Sequence, residues 1–354
     1  MASTPSGSAR PPALPTAALG STGLGITRTG FGAWAIGGGG WHFGWGAQDD
    51  ADSIAAIRHA VERGITWIDT AAAYGLGHSE EVVARALRDI PPSERPRVFT
   101  KCGLVWDERD RAAPPRRIGR PASLRREVEA SLRRLAVDRI ELYQMHWPPE
   151  DGTPLADYWG TLLELKAEGK IGAAGLSNHD AGQLEAAERI GHVDTLQPSF
   201  SAIRRDAAAT QLPWCAAHGT GVIVYSPMQS GLLTGAFTAE RAARLGADDW
   251  RSRAPEFREP ALPRNLALAA ALDPVARRHE VSVGAVAVAW TLAWPGVSGA
   301  IVGARSPGQV DGWRAAATLS LSGADLDEIA AAIERSGAGS GPTRPPRRPG
   351  AAAA

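Results

Sequence analysis

Four titratable side chains stand out in the sequence because of what precedes them. "ITWID" ends at Asp69, "RVFTK" at Lys101 and "IELYQMH" at His146, and Tyr74 follows Asp69 within the small-residue segment "TAAAYGLG". A phenol is a poor acid at neutral pH, since its ordinary pKa is about 10. A neighbouring ammonium stabilises the phenolate, so Lys101 beside Tyr74 is expected to lower that pKa and make the phenol a usable proton donor.

The other two groups would complete such a site. A buried lysine needs a counter-ion to remain charged, and Asp69 can supply it. His146 could donate a hydrogen bond to a carbonyl oxygen and fix its orientation. The set has no activated nucleophile, so it predicts protonation of a developing alkoxide, with a nicotinamide hydride as the natural source of electrons. Taken singly, Asp69 and Lys101 could equally form a structural ion pair, and His146 could be a hydrogen-bonded core residue.

Such a site requires a fold that brings distant strand ends together. Short apolar runs alternate along the chain with helix-period segments, such as "SIAAIRHAVERG" and "ASLRREVEASLRRLAVD", the second with Ser123 as its predicted N-cap. The apolar runs hardly alternate with polar residues, as expected for parallel strands that are buried on both faces. The predicted strands are "FGAWAI", "ITWID", "RVFTK", "IELYQMH", "IGAAG", "VDTLQ", "GVIVY" and "GAIVG".

About eight strand–helix units without a break in composition predict an α/β protein, a (β/α)₈ TIM barrel with parallel strands, long βα loops and disordered termini. The rival is a doubly wound open sheet. Its best dinucleotide fingerprint, Gly30-x-Gly32-x-x-Ala35, lies within a predicted strand rather than after one. Polar residues end seven of the predicted strands, and a barrel would gather them at one rim, where catalytic groups of such folds lie.

Composition limits the partners and the compartment. The 354 residues carry 38 Lys and Arg and 38 Asp and Glu, a balance that argues against nucleic acid or a membrane as the main partner. Two cysteines and an N-terminus without an apolar signal-peptide core favour the cytoplasm. The expected organisation is a disordered tail over residues 1–18, one barrel over 19–335, and a disordered Gly/Pro/Arg/Ala-rich tail over 336–354.

Several motifs occur together and in a recognisable order. "WIDTAAAYGLGHSEE", "VFTKCG", "IELYQMHWP", "GAAGLSNH", "VIVYSPMQSGLLTG" and "AIVGARSPGQV" resemble the consecutive motifs of the aldo-keto reductases, from about Leu19 to Glu334. The resemblance implies a (β/α)₈ barrel that binds NADP(H) in an extended form without a Rossmann domain. It also implies a catalytic tetrad of Asp69, Tyr74, Lys101 and His146, with Tyr74 as the general acid. Both monomers and homo-oligomers are compatible with it.

The resemblance further implies a set of cofactor residues. Ser177, Asn178 and Gln197 match the partners of the nicotinamide carboxamide, and Tyr225 resembles the aromatic residue that stacks on the nicotinamide. Other positions match the loop over the pyrophosphate and the segment that holds the adenosine 2′-phosphate and adenine: Ser226, Met228, Gly231 and Leu232, then Gly303, Arg305, Ser306 and Gln309. A guanidinium at a helix N-terminus favours NADP over NAD.

One position departs from the pattern of the cofactor segment. Trp313 replaces the asparagine that many relatives carry four positions after the glutamine, so adenine would pack differently in this chain.

The predicted function is an NADPH-dependent reductase of aldehydes or ketones, or an enzyme of the reverse oxidation of an alcohol or sugar. Trp34, Trp106 and Trp147 are the predicted substrate-binding residues, although each could instead pack a loop onto the barrel. The alternative is a cofactor-binding regulatory subunit of the same fold with little turnover. A barrel hydrolase or isomerase is disfavoured, since no carboxylate pair occurs at the strand ends. The remaining histidines show no metal-ligand spacing, so no metal is expected.

Overall fold

The computed structural model describes residues 13–346, and its centre is a closed barrel of eight parallel strands. Two short antiparallel hairpins, β1–β2 and β6–β7, lie outside the barrel wall, and the remaining strands close it in chain order. The strands are β1 (Thr16–Ala18), β2 (Gly25–Thr27), β3 (Thr29–Gly32), β4 (Trp67–Asp69), β5 (Arg97–Cys102), β6 (Leu104–Val105), β7 (Arg116–Arg117), β8 (Ile140–Met145), β9 (Ile171–Ser177), β10 (Thr195–Gln197), β11 (Gly221–Tyr225) and β12 (Val297–Gly303).

Helices surround the barrel and confirm the predicted TIM-barrel class. The α-helices are α1 (Asp50–Glu62), α2 (His78–Leu87), α3 (Pro121–Leu135), α4 (Leu155–Ala167), α5 (Ala181–Glu188), α6 (Gln211–His218), α7 (Ala239–Ala243), α8 (Ala261–Ala271), α9 (Asp273–Arg278), α10 (Val283–Leu292), α11 (Pro307–Arg314) and α12 (Gly323–Ser336). No helix within residues 13–346 is long and apolar enough to cross a bilayer.

Two local predictions were wrong. The first barrel strand is β3, which ends at Gly32, and Ala35–Gly37 forms a 3₁₀ turn instead of continuing "FGAWAI" as a strand. Helix α3 begins at Pro121, whose fixed φ suits the first helical position, and Arg120 precedes it. Ser123 therefore lies inside the first turn, where its hydroxyl donates to Glu127 Oε1 at 2.9 Å.

Apolar side chains fill the N-terminal end of the barrel. Trp67 and Phe99 are fully buried inside it, and Leu19 and Ile26 from the β1–β2 hairpin pack against them from below. Gly30 is required opposite the indole, because a Cβ there would lie 2.2 Å from the Trp67 ring. The barrel is thus a packed core rather than a pore, and its polar side chains are left for the opposite end.

The N-terminal segment is ordered earlier than expected. The predicted tail covers residues 1–18, but Thr16–Ala18 forms strand β1 and pairs with β2. The physical reason is burial of the next residue, Leu19, inside the barrel core. Residues 1–12 lie outside the described residues.

The C-terminal segment also differs from the expected disorder over 336–354. Its described part reaches residue 346 and lies against the loop after β10. The buried Arg205 donates through Nη1 to Ala338 O at 3.0 Å and through Nε to Gly341 O at 3.1 Å. A buried guanidinium needs such acceptors, and the tail carbonyls supply them. Residues 347–354 lie outside the described residues.

Both cysteines are buried and free. Burial raises the pKa of the Cys102 thiol well above its ordinary value. Since the thiolate is the reactive form, Cys102 fits a small core residue next to Lys101 rather than a nucleophile.

Candidate active site

The structure brings the four predicted catalytic side chains together at the C-terminal end of the barrel. Asp69 ends β4, Lys101 lies in β5, and His146 follows β8. Lys101 Nζ lies 2.5 Å from Asp69 Oδ1 and 3.4 Å from the Tyr74 hydroxyl, and it also donates to Thr70 O at 2.8 Å. The rings of Tyr74 and His146 meet edge to face with centroids 5.6 Å apart. An ammonium and an imidazole therefore flank one phenol.

Small residues between Asp69 and Tyr74 allow the chain to turn back over the barrel. Ala71, Ala72 and Ala73 are buried, and the Tyr74 amide donates to Ala71 O at 3.1 Å. Gly75 has φ +62° and lies against the turn before α1, where a Cβ would come within 2.3 Å of Gly37 O. A larger residue at Gly75, or in place of one of the three buried alanines, would push the phenol away from Lys101.

Burial shifts the pKa values of Asp69, Lys101 and Tyr74. It raises the pKa of Asp69 and lowers that of Lys101, and the attraction between the two charges opposes both shifts. The pKa of Tyr74 is raised well above 10, first by burial and then by the negative charge of Asp69. The expected lowering by Lys101 is wrong, because burial raises the pKa of the phenol and the negative charge of Asp69 adds to the rise. Tyr74 is therefore a protonated phenol at neutral pH.

His146 is a neutral imidazole. Burial lowers its pKa well below 6.5, and the positive charges of Lys101 and Arg117 lower it further. A neutral ring keeps one N–H group, which can donate a hydrogen bond without adding a charge to the site.

A second set of polar side chains, all predicted cofactor residues, lies next to the four predicted catalytic residues. Asn178 has φ +63° and donates through Nδ2 to His146 O at 2.9 Å, and its Oδ1 accepts from the Tyr225 hydroxyl at 2.8 Å. The Ser177 hydroxyl donates to Gln197 O at 2.8 Å. Four of the predicted cofactor residues thus lie beside the tetrad, joined by hydrogen bonds.

A cavity of about 500 Å³ extends from Asp69 and Tyr74 along the rim to the N-terminus of α11. Leu232 is the exception among the residues expected over the pyrophosphate, because it is fully buried in the main hydrophobic core. The remaining predicted pyrophosphate and adenosine residues line the cavity together with Tyr225: Ser226, Met228, Gly231, Gly303, Arg305, Ser306 and Gln309.

Comparison with known proteins agrees with this geometry. A model of the aldo/keto reductase family matches residues 31–334. The aldo-keto reductase YhdN of Bacillus subtilis (strain 168) is 34% identical over 291 residues, which are 82% of this chain and 86% of that protein. The NADH-specific methylglyoxal reductase of Escherichia coli (strain K12) is 36% identical over 301 residues, which are 82% of this chain and 91% of that protein.

A solved structure is similar over nearly the whole length. The glycerol dehydrogenase AKR11B4 from Gluconobacter oxydans has a TM-score of 0.82 and 36% sequence identity, covering 96% of this chain and 99% of that one. The chain belongs to the aldo/keto reductase family. This aldo-keto reductase is therefore an oxidoreductase of a family that uses nicotinamide cofactors.

Several aromatic rings pack together beside Tyr74 in this aldo-keto reductase. Trp34 stacks on Tyr74 with ring centroids 6.1 Å apart, and it also stacks on Trp250 at 5.1 Å. Trp45 meets Trp34 edge to face at 5.2 Å. Trp34 and Trp45 line the cavity, so of the three tryptophans expected to bind substrate Trp34 lies at the site.

The other two predicted substrate residues have different neighbours. The Trp106 indole donates to Glu108 Oε1 at 2.7 Å, and the Arg117 guanidinium lies 4.5 Å above the Trp147 ring. Neither tryptophan is among the residues that line the cavity in the described part of the chain.

Three arginines line the cavity of the aldo-keto reductase, and sequence reasoning singled out only Arg305. The Arg305 guanidinium donates to the Gln48 side chain and to the carbonyls of Trp45 and Ala47. Arg251 forms a buried bidentate pair with Asp249. Arg241 lies 5.3 Å from the Phe237 ring, and within residues 13–346 its side chain has no carboxylate or carbonyl partner.

Arg241 and the pairing of Trp250 with Trp34 were missed for one reason. They lie in the long segment after β11, whose mixed charges fit a solvated surface as well as a binding loop. Its one usable signal was "DDWRSR", where Asp249 and Arg251 flank the tryptophan.

Proposed function

We propose that this aldo-keto reductase is an NADPH-dependent reductase of small aldehydes or ketones, with Tyr74 as the proton donor. One observation carries the proposal: the Tyr74 hydroxyl lies 3.4 Å from Lys101 Nζ, which is paired with Asp69, and the Tyr74 ring meets the His146 ring, at the end of a long cavity. The reverse oxidation of an alcohol or sugar uses the same groups. The two buried thiols fit a reducing compartment such as the cytoplasm.

The residues present fit a nicotinamide cofactor. Ser177 and Asn178 offer hydroxyl and amide groups for the carboxamide, and Tyr225 offers a ring face at the same end of the cavity. When bound, the nicotinamide would supply the hydride that reduces the carbonyl carbon. At the other end, the Gln309 side chain accepts from the Arg305 amide at 2.8 Å, at the N-terminus of α11. A helix N-terminus favours an anion there.

The chain's own groups handle the proton. The neutral His146 ring would donate a hydrogen bond to the substrate carbonyl oxygen and fix its orientation. Tyr74 then gives its proton to that oxygen as negative charge develops on it. A raised phenol pKa does not prevent this step, because an alkoxide is far more basic than a phenolate. The Lys101 ammonium stabilises the resulting phenolate until it is protonated again.

The preference for NADP over NAD rests on charge. Within residues 13–346 the Arg241 guanidinium has no carboxylate or carbonyl partner, so it is available for a phosphate. Burial lowers the pKa of Arg305, and the positive charges of Arg251 and Arg241 nearby lower it further. Three guanidiniums line this end of the cavity, and Asp249 is the carboxylate beside them. The excess of positive charge favours the 2′-phosphate that NADP carries and NAD lacks. The Escherichia coli relative is NADH-specific, which makes cofactor preference a required measurement for this chain.

Tyr74→Phe tests the proposal directly. General acid catalysis contributes roughly 10²–10⁴-fold, so NADPH oxidation with methylglyoxal, aromatic aldehydes and small sugars should fall by at least about a hundredfold. NADPH affinity, measured by quenching of tryptophan fluorescence, should change little.

A matched control is Tyr158→Phe, which removes a buried phenol hydroxyl that contacts His179 Nε2 at 3.0 Å outside the site. Its rate should stay near that of the unmodified enzyme. Retained activity in Tyr74→Phe would refute the proton-donor role. Tight NADPH binding without turnover of any carbonyl by the unmodified protein would favour a regulatory subunit instead.

A further inference from the structure

Gln197 contacts both the ion pair of Asp69 and Lys101 and the neighbouring polar residues Ser177 and Asn178. Its Nε2 donates to Asp69 Oδ2 at 2.8 Å, while Asp69 Oδ1 is held by Lys101. The backbone carbonyl of Gln197 accepts from the Ser177 hydroxyl at 2.8 Å and from the Asn178 amide at 3.3 Å. Family resemblance places Gln197 against the nicotinamide carboxamide and does not account for its bond to Asp69.

The bond to Asp69 lies where it has most effect. Gln197 and Asp69 are each only 2% exposed, so water cannot take over the role of the amide. A buried carboxylate oxygen without a donor strongly disfavours the ionised form. Burial raises the pKa of Asp69. The charge and hydrogen bond of Lys101 oppose that rise most, and the N–H groups of Gln197 and then Gln144 add to the opposition. Neutral Asp69 would leave Lys101 without its counter-ion.

We propose that Gln197 is a positioning residue that keeps Asp69 ionised and oriented, and thereby keeps Lys101 charged beside Tyr74. The side chain of Gln197 holds Asp69, while its backbone carbonyl holds the Ser177 hydroxyl and the backbone N–H group of Asn178. One residue therefore links the predicted cofactor residues to the ion pair. Gln197 acts through Asp69 and does not touch the reacting atoms.

The first experiment needs neither cofactor nor substrate, so it is independent of the proposed function. Thermal unfolding of Gln197→Leu is compared with that of the unmodified protein from neutral to acid pH. Loss of the donor raises the folded-state pKa of Asp69 further, and ionising Asp69 then costs more in the folded protein. The loss of Tm should be largest at neutral pH. It should shrink as pH falls below the Asp69 pKa of the unmodified protein, because Asp69 is then neutral in both.

Gln211→Leu is the matched control for the unfolding experiment. It removes a half-buried amide that donates to His179 O at 2.8 Å and contacts no carboxylate. Its Tm difference should stay constant over the same pH range. If Gln197→Leu behaved like this control, with curves parallel to those of the unmodified protein, the positioning role would be refuted. Gln197→Asn, whose amide is one methylene too short to reach Asp69, should repeat the leucine result if leucine impairs folding.

The second experiment is kinetic and rests on the proposed function. Hydrogen bonds to charged groups contribute about 1.5–3 kcal/mol, so the acid limb of kcat in Gln197→Leu should move to higher pH by about one unit or more. Ser177→Ala should weaken cofactor binding without moving that limb. If Gln197→Leu bound the cofactor more weakly but its acid limb of kcat did not move, Gln197 would only contact the carboxamide. That result would overturn the inference. If the unmodified protein turned over no carbonyl, the proposed function would be refuted. The unfolding experiment would still test the positioning role of Gln197.

Discussion

The indole ring of Trp34 lies nearly parallel to the phenol ring of Tyr74, with planes inclined by 23° and centroids 6.1 Å apart. Trp250 also stacks on Trp34, with planes inclined by 20°. Tyr74, the proposed proton donor, therefore stacks on an indole that in turn stacks on a second indole, from loops more than 200 residues apart in the chain. Ring packing of this kind restricts the direction of the hydroxyl, as the proposed proton transfer would require.

Trp34→Ala should loosen Tyr74 and lower kcat/KM for carbonyl reduction. Aromatic pairs contribute about 0.5–1.5 kcal/mol beyond their buried area, so a loss of roughly two- to tenfold is expected. Trp34→Phe keeps a stacking ring and should retain most of the activity. Steady-state rates with one aldehyde check both variants. Equal activity of the alanine and phenylalanine variants would show that stacking on Trp34 does not support the donor.

The raised pKa of Tyr74 predicts opposite pH dependence for the two reaction directions. With Tyr74 as the proposed proton donor, reduction would need the protonated phenol and should stay nearly level through neutral pH, falling only in the strongly alkaline range. Oxidation needs the phenolate and should rise with pH, by up to about tenfold per unit below the Tyr74 pKa. Rates of both directions over the same buffers check this. An oxidation rate that levels off near neutral pH would contradict it.

Cofactor discrimination should depend on Arg241 as well as on Arg305. Arg241→Ala removes a guanidinium that lines the cavity and should weaken NADPH binding roughly tenfold, with a smaller salt dependence of the affinity. Arg305→Ala also releases the segment that contains Trp45, Ala47 and Gln48, so it should weaken both NADPH and NADH.

Arg244→Ala is the control for this pair, since Arg244 caps the same helix α7 without lining the cavity. Affinities for NADPH, NADH and 2′,5′-ADP by fluorescence titration separate the roles. A loss confined to NADPH and 2′,5′-ADP in Arg305→Ala would mean that Arg305, despite its present partners, reads the 2′-phosphate. Unchanged NADPH affinity in Arg241→Ala would exclude Arg241 as a phosphate partner.

Gly30→Ala should destabilise the barrel. A Cβ at this position would lie 2.2 Å from the Trp67 ring, and overpacking of a core costs about 1–3 kcal/mol. Gly160→Ala is the matched control, because Gly160 lies in α4 with no atom within 4 Å of an added Cβ. Alanine there should stabilise the protein by about 0.5–1 kcal/mol through helix propensity. Chemical denaturation measures both, and an unchanged midpoint for Gly30→Ala would contradict the packing argument.

The sequence by itself determined the barrel and the location of the polar strand ends. Unalternated apolar runs of strand length, separated by helix-period segments, predict buried parallel strands, and parallel strands direct their C-terminal ends to one rim. Asp69, Lys101 and His146 could be placed at that rim because local pattern alone marks where each strand stops. The small residues before Tyr74 marked a tight turn for the same local reason.

Tertiary structure alone decided the contacts between loops and the protonation of the buried groups. Trp34 meets Trp250, Arg305 binds the segment around Gln48, and Gln197 bonds to Asp69, all between residues more than 100 positions apart in the chain. No local pattern encodes such pairs. The pKa of Tyr74 depends on how completely the fold removes water and how far Asp69 offsets Lys101, so burial reversed a shift that charge alone had suggested.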